Sequence, residues 1–383
     1  MSGEIEPRYF VEAAAKALDV LESFNSPQEE LSIAEIVRRA GITYCSTFRL
    51  LYTLEKRGYV MRSPGSKRYR LVPSRKRFRV GYAALDSRCP FSEEVTRSMT
   101  QAARAYGIGL TVKDNELSPA RAIANADALL DERVHLLIMH QPHESAAGLI
   151  AARCREAKVP LVAVDFAHPG SYYFGTNYHR AGKLGGEYLR SVAHGRIRLL
   201  VLAPAPMNEA LRAYARGLAE GLRPGPARGQ GANVIAIGGK PGDYYRRVKQ
   251  VMKEVGAGSG RVRVAAASDS LALACARALA SLGCGATPLV GLGGSAAAIT
   301  GLRKSNPRAA AIASFPEIYG DRVMQLALRI LEGEQITAAS YTEHVLLTAV
   351  SLNQYYPDSR AWQRREIPDQ EPWFFEQRIA TAV

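Results

Sequence analysis

The chain has 383 residues, 47% of them apolar and 22% charged, with a formal net charge of +14. Such a composition excludes a disordered or fibrous chain, the length suits two or three domains, and no run approaches the ~20 apolar residues of a membrane span. Five scattered cysteines (Cys45, Cys89, Cys154, Cys275, Cys284) with no CxxC pair argue against a disulfide framework or a zinc site and fit a reducing compartment.

The leading "MSGEIEPRYF" has no basic segment followed by an apolar one, so no secretory leader is read and a cytoplasmic protein is expected. In "YFVEAAAKALDVLESF", Phe10, Ala14, Leu18 and Leu21 recur at helical spacing, which predicts a first amphipathic helix. "SIAEIVRRAG" opens with Ser32 and Glu35 at capping-box spacing and stops at Gly41, predicting a short second helix. A third helix is expected from near Thr43 to about Arg57, with Thr47, Leu50, Leu51 and Leu54 facing inward and Tyr44, Cys45, Phe48, Arg49 and Tyr52 on the other side. "YVMRSPGSKRYRLV" then reads as a hairpin turning at Pro64-Gly65. Three helices followed by a two-stranded basic wing make a winged helix-turn-helix, in which the third helix is the one for the major groove.

Charge supports that reading. From Arg38 to Arg79 there are thirteen Lys or Arg against one acid, Glu55, so nearly all of the chain's surplus positive charge lies in this block. With Tyr44, Phe48, Tyr52, Tyr59 and Tyr69 interleaved, the block has the footprint of a polyanion-binding module. A face kept basic only for solubility would intersperse acids, and here they are absent.

The run "AGITYCSTFRLLYTLEKRGYV" resembles the winged helix-turn-helix of the isocitrate lyase regulator (IclR) family of transcription factors, over roughly residues 8–72. The resemblance implies DNA contacts from the start of the third helix, Thr43, Tyr44, Cys45 and Ser46, and from Arg49, with Lys67 and Arg68 of the wing holding phosphate. A polar first turn suits a helix end that faces bases and phosphates.

After a short basic stretch, "PSRKR" at 73–77, the pattern changes. Apolar runs such as "FRVGYAAL", "VHLLIMH", "VPLVAVDF", "IRLLVLAPA", "VRVAAAS" and "PLVGLGG" alternate with amphipathic helical segments. That alternation predicts parallel sheets covered on both faces. About four units precede residue 170 and about five follow it, so two similar α/β lobes are expected, with ligands bound at the carboxyl ends of the strands.

Residues 78–357 together resemble the type 1 periplasmic-binding-protein fold shared by ribose-binding proteins and the ligand domains of lactose-repressor-type regulators. The resemblance implies that Phe91 and Phe166 stack on an apolar sugar face and that Asp165, Asn177 and Arg212 hydrogen-bond hydroxyls. It places Ser268 and Asp269, Gly293 and Ser314 at the ends of second-lobe strands. Three of these depart from the sugar-binding pattern: Ser268 replaces an Asn, Gly293 an Asp and Ser314 a Gln. The ligand is therefore larger or differently decorated than a simple pentose or hexose, or the two serines act through water.

Other features yield nothing catalytic. "GLGGS" lacks the spacing and the downstream acid of a nucleotide fingerprint. His140 and His143 bracket a strand-end proline without a carboxylate or thiol companion, which favours a loop-lining role over metal. No GxSxG motif or paired carboxylates occur, so no catalytic residue, metal or cofactor is assigned. The tail, 358–383, is apolar at Trp362, Trp373, Phe374 and Phe375 and is expected to pack on a lobe or a partner subunit.

The sequence thus reads as a cytoplasmic, homodimeric regulator with three parts. Residues 1–72 bind operator DNA, 73–77 link, and 78–357 form a two-lobed sensor for a small polar effector, a sugar or sugar derivative. The linker is too short for the hinge helix of lactose-repressor types. Two other readings are a transport-type solute-binding protein and a two-lobed α/β enzyme.

Overall fold

The computed structural model describes residues 10–26, 29–63, 66–72, 78–192, 198–222, 233–304 and 308–356. The expected Pro64-Gly65 turn, the 73–77 linker and the 358–383 tail lie outside these residues. The chain divides into two units, Met1–Phe78 with Ala103–Gly109, and Arg79–Ala102 with Leu110–Val383.

The smaller unit contains helix α1 (Glu12–Glu22), strand β1 (Leu31–Ser32), α2 (Ile33–Ala40), α3 (Tyr44–Lys56), β2 (Val60–Arg62) and β3 (Arg68–Leu71). The capping box forms: Ser32 Oγ accepts from the Glu35 backbone N–H, and the Glu35 carboxylate accepts from the Ser32 N–H at 2.7 Å. Gly41 ends α2 in the left-handed region at φ 68°. The wing is three-stranded rather than two-stranded, because Leu31 and Ser32 pair antiparallel with Tyr69 and Arg68.

One expectation for α1 is corrected. Phe10, Ala14 and Leu18 are exposed; of the expected stripe only Leu21 is buried, together with Val20 and, past the helix end, Phe24. The alanine-rich segment carries two apolar stripes of helical spacing, and periodicity alone cannot choose between them. Packing against Ile36, Leu51, Leu54, Val60 and Tyr69 selects the second.

The larger unit alternates β4 (Arg79–Ala84), α4 (Pro90–Ala105), β5 (Gly109–Asp114), α5 (Pro119–Asp131), β6 (Leu136–Met139), α6 (Glu144–Glu156), β7 (Leu161–Val164) and β8 (Tyr172–Gly175). There follow α7 (Tyr178–Ser191), β9 (Arg198–Pro204), α8 (Glu209–Leu222), β10 (Asn233–Ile237), α9 (Tyr244–Glu254), β11 (Val262–Ala266), α10 (Asp269–Ser281), β12 (Leu289–Gly293), α11 (Ala296–Lys304) and β13 (Ala309–Ala313). The chain closes with α12 (Pro316–Leu331), β14 (Ala339–Tyr341), β15 (Val345–Thr348) and α13 (Leu352–Tyr355).

Two six-stranded sheets result, ordered β14-β8-β7-β6-β4-β5 and β10-β9-β11-β12-β13-β15. The central pairings are parallel, and β15 runs antiparallel to β13. Each sheet is the middle layer of one lobe, its strands nearly all apolar because helices cover both faces.

The chain passes between the lobes three times: from β8 to α7, from β13 to α12 and from β14 to β15. The three passages are tied together. Thr176 Oγ1 lies 3.2 Å from Ser314 Oγ, Thr342 Oγ1 donates to Ser314 O at 2.8 Å, and the Thr342 N–H donates to Gly175 O at 2.9 Å. The Asn177 N–H donates to His344 Nε2 at 2.8 Å.

Helices α7 and α8 meet backbone to backbone. A Cβ on Gly182 or Gly186 would fall on the Tyr214 or Leu218 carbonyl, and one on Gly217 or Gly221 on the His179 or Lys183 carbonyl. A four-residue glycine spacing on each helix permits that approach.

Candidate functional site

Two surfaces carry the chemistry. On the small unit it is the outward side of α3. Thr47, Leu51 and Leu54 are buried, so the opposite side shows Tyr44 (57% exposed), Phe48 (45%) and Tyr52 (55%), with Cys45 and Arg49 also exposed. Thr43 stands at the N-cap, its hydroxyl donating to Ser46 Oγ at 3.1 Å and accepting no backbone N–H.

The unit's ion pairs tie down Arg39 (to Glu29), Arg62 (to Glu55) and Arg68 (to Glu35). Arg68 also donates to Glu30 O at 2.8 Å, so its guanidinium braces β3 against the start of α2 while staying half exposed. Neither Arg49 nor Lys67 takes part in an ion pair among the described residues, and both are exposed. These two cations are thus free to meet a polyanion.

In the larger unit a cavity of about 370 Å³ lies between the lobes, at the carboxyl ends of the strands. Its size is at the lower end of small-molecule pockets. Phe91, from the start of α4, sits edge-on to Tyr319 with ring centroids 5.7 Å apart. Phe166 lies between His140 (5.8 Å) and Tyr178 (6.0 Å), its ring tilted 30° and 32° to theirs. The lobes touch around this cavity. Asn208 Nδ2 donates to Pro142 O at 3.0 Å, the Glu209 N–H donates to Glu144 Oε1 at 2.7 Å, and the Ala296 N–H donates to Glu94 Oε1 at 2.7 Å.

The cavity's best-defined polar group is Asp165, at the end of β7. It is buried and left-handed at φ 59°. Its Oδ1 accepts from the Thr176 N–H at 2.9 Å and from the Tyr319 hydroxyl at 3.0 Å. Burial pushes its carboxyl up to about 6, against the pull of those two hydrogen bonds. His140 Nε2 lies 3.6 Å from Asp165 Oδ2. Burial lowers that imidazole to about 3, so it is neutral, and its Nδ1 has no partner among the described residues.

The second lobe repeats the device. Asp269, after β11, accepts from the Gly294 and Ser295 N–H groups at 3.0 and 2.8 Å. In both lobes a glycine on the neighbouring strand makes room. A Cβ on Gly175 would lie 2.5 Å from Asp165 Oδ1, and one on Gly293 would lie 2.5 Å from the Asp269 carboxylate. Gly293 is therefore a steric necessity at this position, with φ 141°.

Of the nine residues expected to hold a ligand, Phe91, Asp165, Phe166, Ser268, Asp269, Gly293 and Ser314 line this cavity. The other two do not. Asn177 caps α7, accepting from the Arg180 N–H at 3.1 Å, and faces an adjoining groove. Arg212 lies on the rim, donating to Glu209 at 2.9 Å and to Glu144 of the other lobe at 3.2 Å. It joins the lobes instead of lining the cavity, although its neighbours Asn208 and Leu211 at the start of α8 do line it.

Sequence reasoning passed over Tyr178, Asn208, Tyr244 and Lys240, which also line the cavity, and gave His140 only a loop-lining role. Their one signal was position, in the loops and helix starts that come after apolar runs.

Chemically, the cavity suits a polar molecule with flat carbon faces. Arg88 is held by buried Asp86 at 2.7 Å, and Asp269 is committed to its loop. Lys240 is the cation of the lining that no ion pair holds among the described residues, and aromatic rings and hydroxyls (Ser268, Ser314, Thr176) surround it. Burial pushes the Cys89 thiol up to about 12, which leaves it inert as a nucleophile. Among the described residues no cluster of His, Cys, Asp or Glu could hold a metal, and no helix is long and apolar enough to cross a membrane.

Comparison with known proteins agrees with this geometry. The family profile described as a periplasmic binding protein domain matches residues 80–335, and that of an IclR helix-turn-helix domain matches residues 13–64. The ribose import binding protein RbsB of Salmonella typhimurium is 25% identical over 254 residues, covering 65% of this chain and 83% of its own. A Caulobacter myo-inositol binding protein with bound myo-inositol superposes with a TM-score of 0.65 at 15% identity, covering 74% of this chain and 98% of its own. GanP, a glucose-galactose binding protein from Geobacillus stearothermophilus, gives 0.63 at 16% identity, covering 73% and 99%.

Proposed function

We propose, from the premise that this chain belongs to the family of periplasmic binding protein domains and carries an IclR helix-turn-helix domain ahead of it, that it is a ligand-responsive DNA-binding regulator. The observation that carries the reading is the fusion itself. A helix with exposed Arg49, in no ion pair among the described residues, and a cleft of about 370 Å³ lined by aromatic rings and hydroxyls occur in one chain.

The effector is a sugar or sugar derivative. The aromatic rings and hydroxyls of the cavity support this, as do relatives named for ribose, glucose-galactose and myo-inositol. Operator DNA is the macromolecular partner, the chain acts as a homodimer on an inverted repeat, and it works in the cytoplasm, where the DNA is. Neither matched domain is an enzymatic type, and the protein is a sensor, not a catalyst. A transport role would leave the helix-turn-helix without use.

The reading is tested in two steps. A thermal-shift screen of the full chain against mono- and disaccharides, polyols and sugar acids should yield at least one stabilising ligand, since a ligand at 100 times its Kd adds about 2.7 kcal/mol. That ligand should then change the affinity of the chain for a selected duplex. A hit that leaves duplex binding untouched would remove the regulatory coupling.

A further inference from the structure

We infer that Phe48 is a base-reading residue, and that what it reads is the C5-methyl group of a thymine in the major groove. The inference rests on α3 being the recognition helix and goes on to name the chemistry it recognises.

The outward side of α3 is unusual for a solvated helix. Tyr44, Phe48 and Tyr52 stand four residues apart on one line, each roughly half exposed. Tyr52 has a partner, since the Lys56 ammonium lies 5.5 Å from its ring centroid. Phe48 is central on the line and has no polar atom, so it gains nothing from water and can neither donate nor accept. Its neighbour Arg49 is exposed and unpaired among the described residues, and residues 43–54 contain no acid.

An apolar ring on a cationic, acid-free helix points to an occupant that is anionic overall and offers one carbon group. In the major groove the base edges present donors, acceptors and a single apolar feature, the thymine methyl. A second protein subunit would meet Phe48 equally well by area. It would leave Arg49 and the surrounding surplus of thirteen cations to one acid uncompensated.

The experiment uses the full chain. A binding site is first selected from a randomised duplex library, and each thymine of that site is then replaced singly by deoxyuridine, which removes only the methyl. For the native chain one thymine per half-site should stand out, its replacement weakening binding about fourfold, the worth of one buried methyl. Phe48→Ala should bind the thymine and deoxyuridine duplexes equally, and Phe48→Leu should keep part of the difference. Circular dichroism should show both variants folded, because the ring is at the surface.

The inference is overturned if no replacement affects the native chain, or if the same loss persists in Phe48→Ala. It is also overturned if Phe48→Ala alters only the oligomeric state. Should the selection return no preferred sequence at all, the recognition-helix reading falls and takes this inference with it. Sequence-specific binding that is blind to the methyl sinks the inference alone.

Discussion

The Tyr319 hydroxyl donates to Asp165 Oδ1 at 3.0 Å, joining the helix that follows the second interlobe passage to the end of a first-lobe strand. The bond favours the ionised carboxylate, yet burial outweighs it and raises the group to about 6 from an ordinary 3.8. A carboxyl with a raised folded value holds its proton longer in the fold. Its contribution is full below pH ~4 and is lost as pH rises through ~6. Asp165→Asn removes that titration while keeping an acceptor for Tyr319 and Thr176. The stability of the native chain relative to Asp165→Asn should therefore fall by up to about 3 kcal/mol between pH 4 and 7. Urea unfolding at the two pH values measures it; parallel profiles would show that Asp165 is not desolvated.

His140 works in the opposite direction. Its folded value is lowered to about 3, so its share of stability is present above the ordinary 6.5 and is lost as pH falls toward 3. His140→Gln should flatten the acid limb of the stability profile below pH 6.5. The single variants separate the two groups, which partly cancel in the native protein.

For effector affinity, Phe166 and Arg212 should separate cleanly. Phe166→Ala removes a ring from the cavity wall and should cost at least tenfold, about 1.4 kcal/mol or more. Arg212→Ala breaks exposed ion pairs, each worth roughly 0–1 kcal/mol, and should change affinity less than about fivefold. Calorimetry on a ligand from the screen decides; abolished binding in Arg212→Ala would return the guanidinium to the ligand.

Placing at position 293 the carboxylate that the fold resemblance implies there should fail. Gly293→Asp introduces a Cβ 2.5 Å from the Asp269 carboxylate, on a backbone at φ 141°. The variant should lose about 1–3 kcal/mol or more of stability and gain no affinity. A stable variant with tighter sugar binding would disprove the steric account.

On DNA, Arg49→Ala should lower the preference for the selected site by roughly 1–3 kcal/mol, as loss of a base-edge contact does. Lys67→Ala should weaken all duplexes alike and reduce the salt slope by about one unit. Arg68→Ala differs from both. It also removes the brace to Glu35 and Glu30 O, so its melting temperature should fall along with its affinity.

The sequence foretold those parts of the molecule whose pattern is local. The capping box at Ser32, the Gly41 stop and the apolar strands of both sheets depend on neighbours along the chain, and all formed. Strands β8 and β14 were missed because each is short and Tyr- or Ser-bearing, and earns its place only by pairing with a distant strand. Arg212 was misplaced for the same kind of reason. Motif position gives its helix, but its partners, Glu209 and Glu144 of the other lobe, are set by how the lobes pack. The matched glycines of α7 and α8 were visible as letters, although only the crossing shows that two helix backbones meet at these four glycines.

The knot of Thr176, Ser314 and Thr342 sets a further property of the sensor. Three chain passages bonded in a row form an axle, and two bodies on an axle keep one freedom, rotation about it. The stiffness of that rotation decides how often the lobes stand in the binding-competent arrangement, and apparent affinity scales with that fraction. Sensitivity to the effector is therefore tunable at a hydroxyl pair, Thr176 and Ser314, by torsional stiffness, with the ligand's own contacts left as they are.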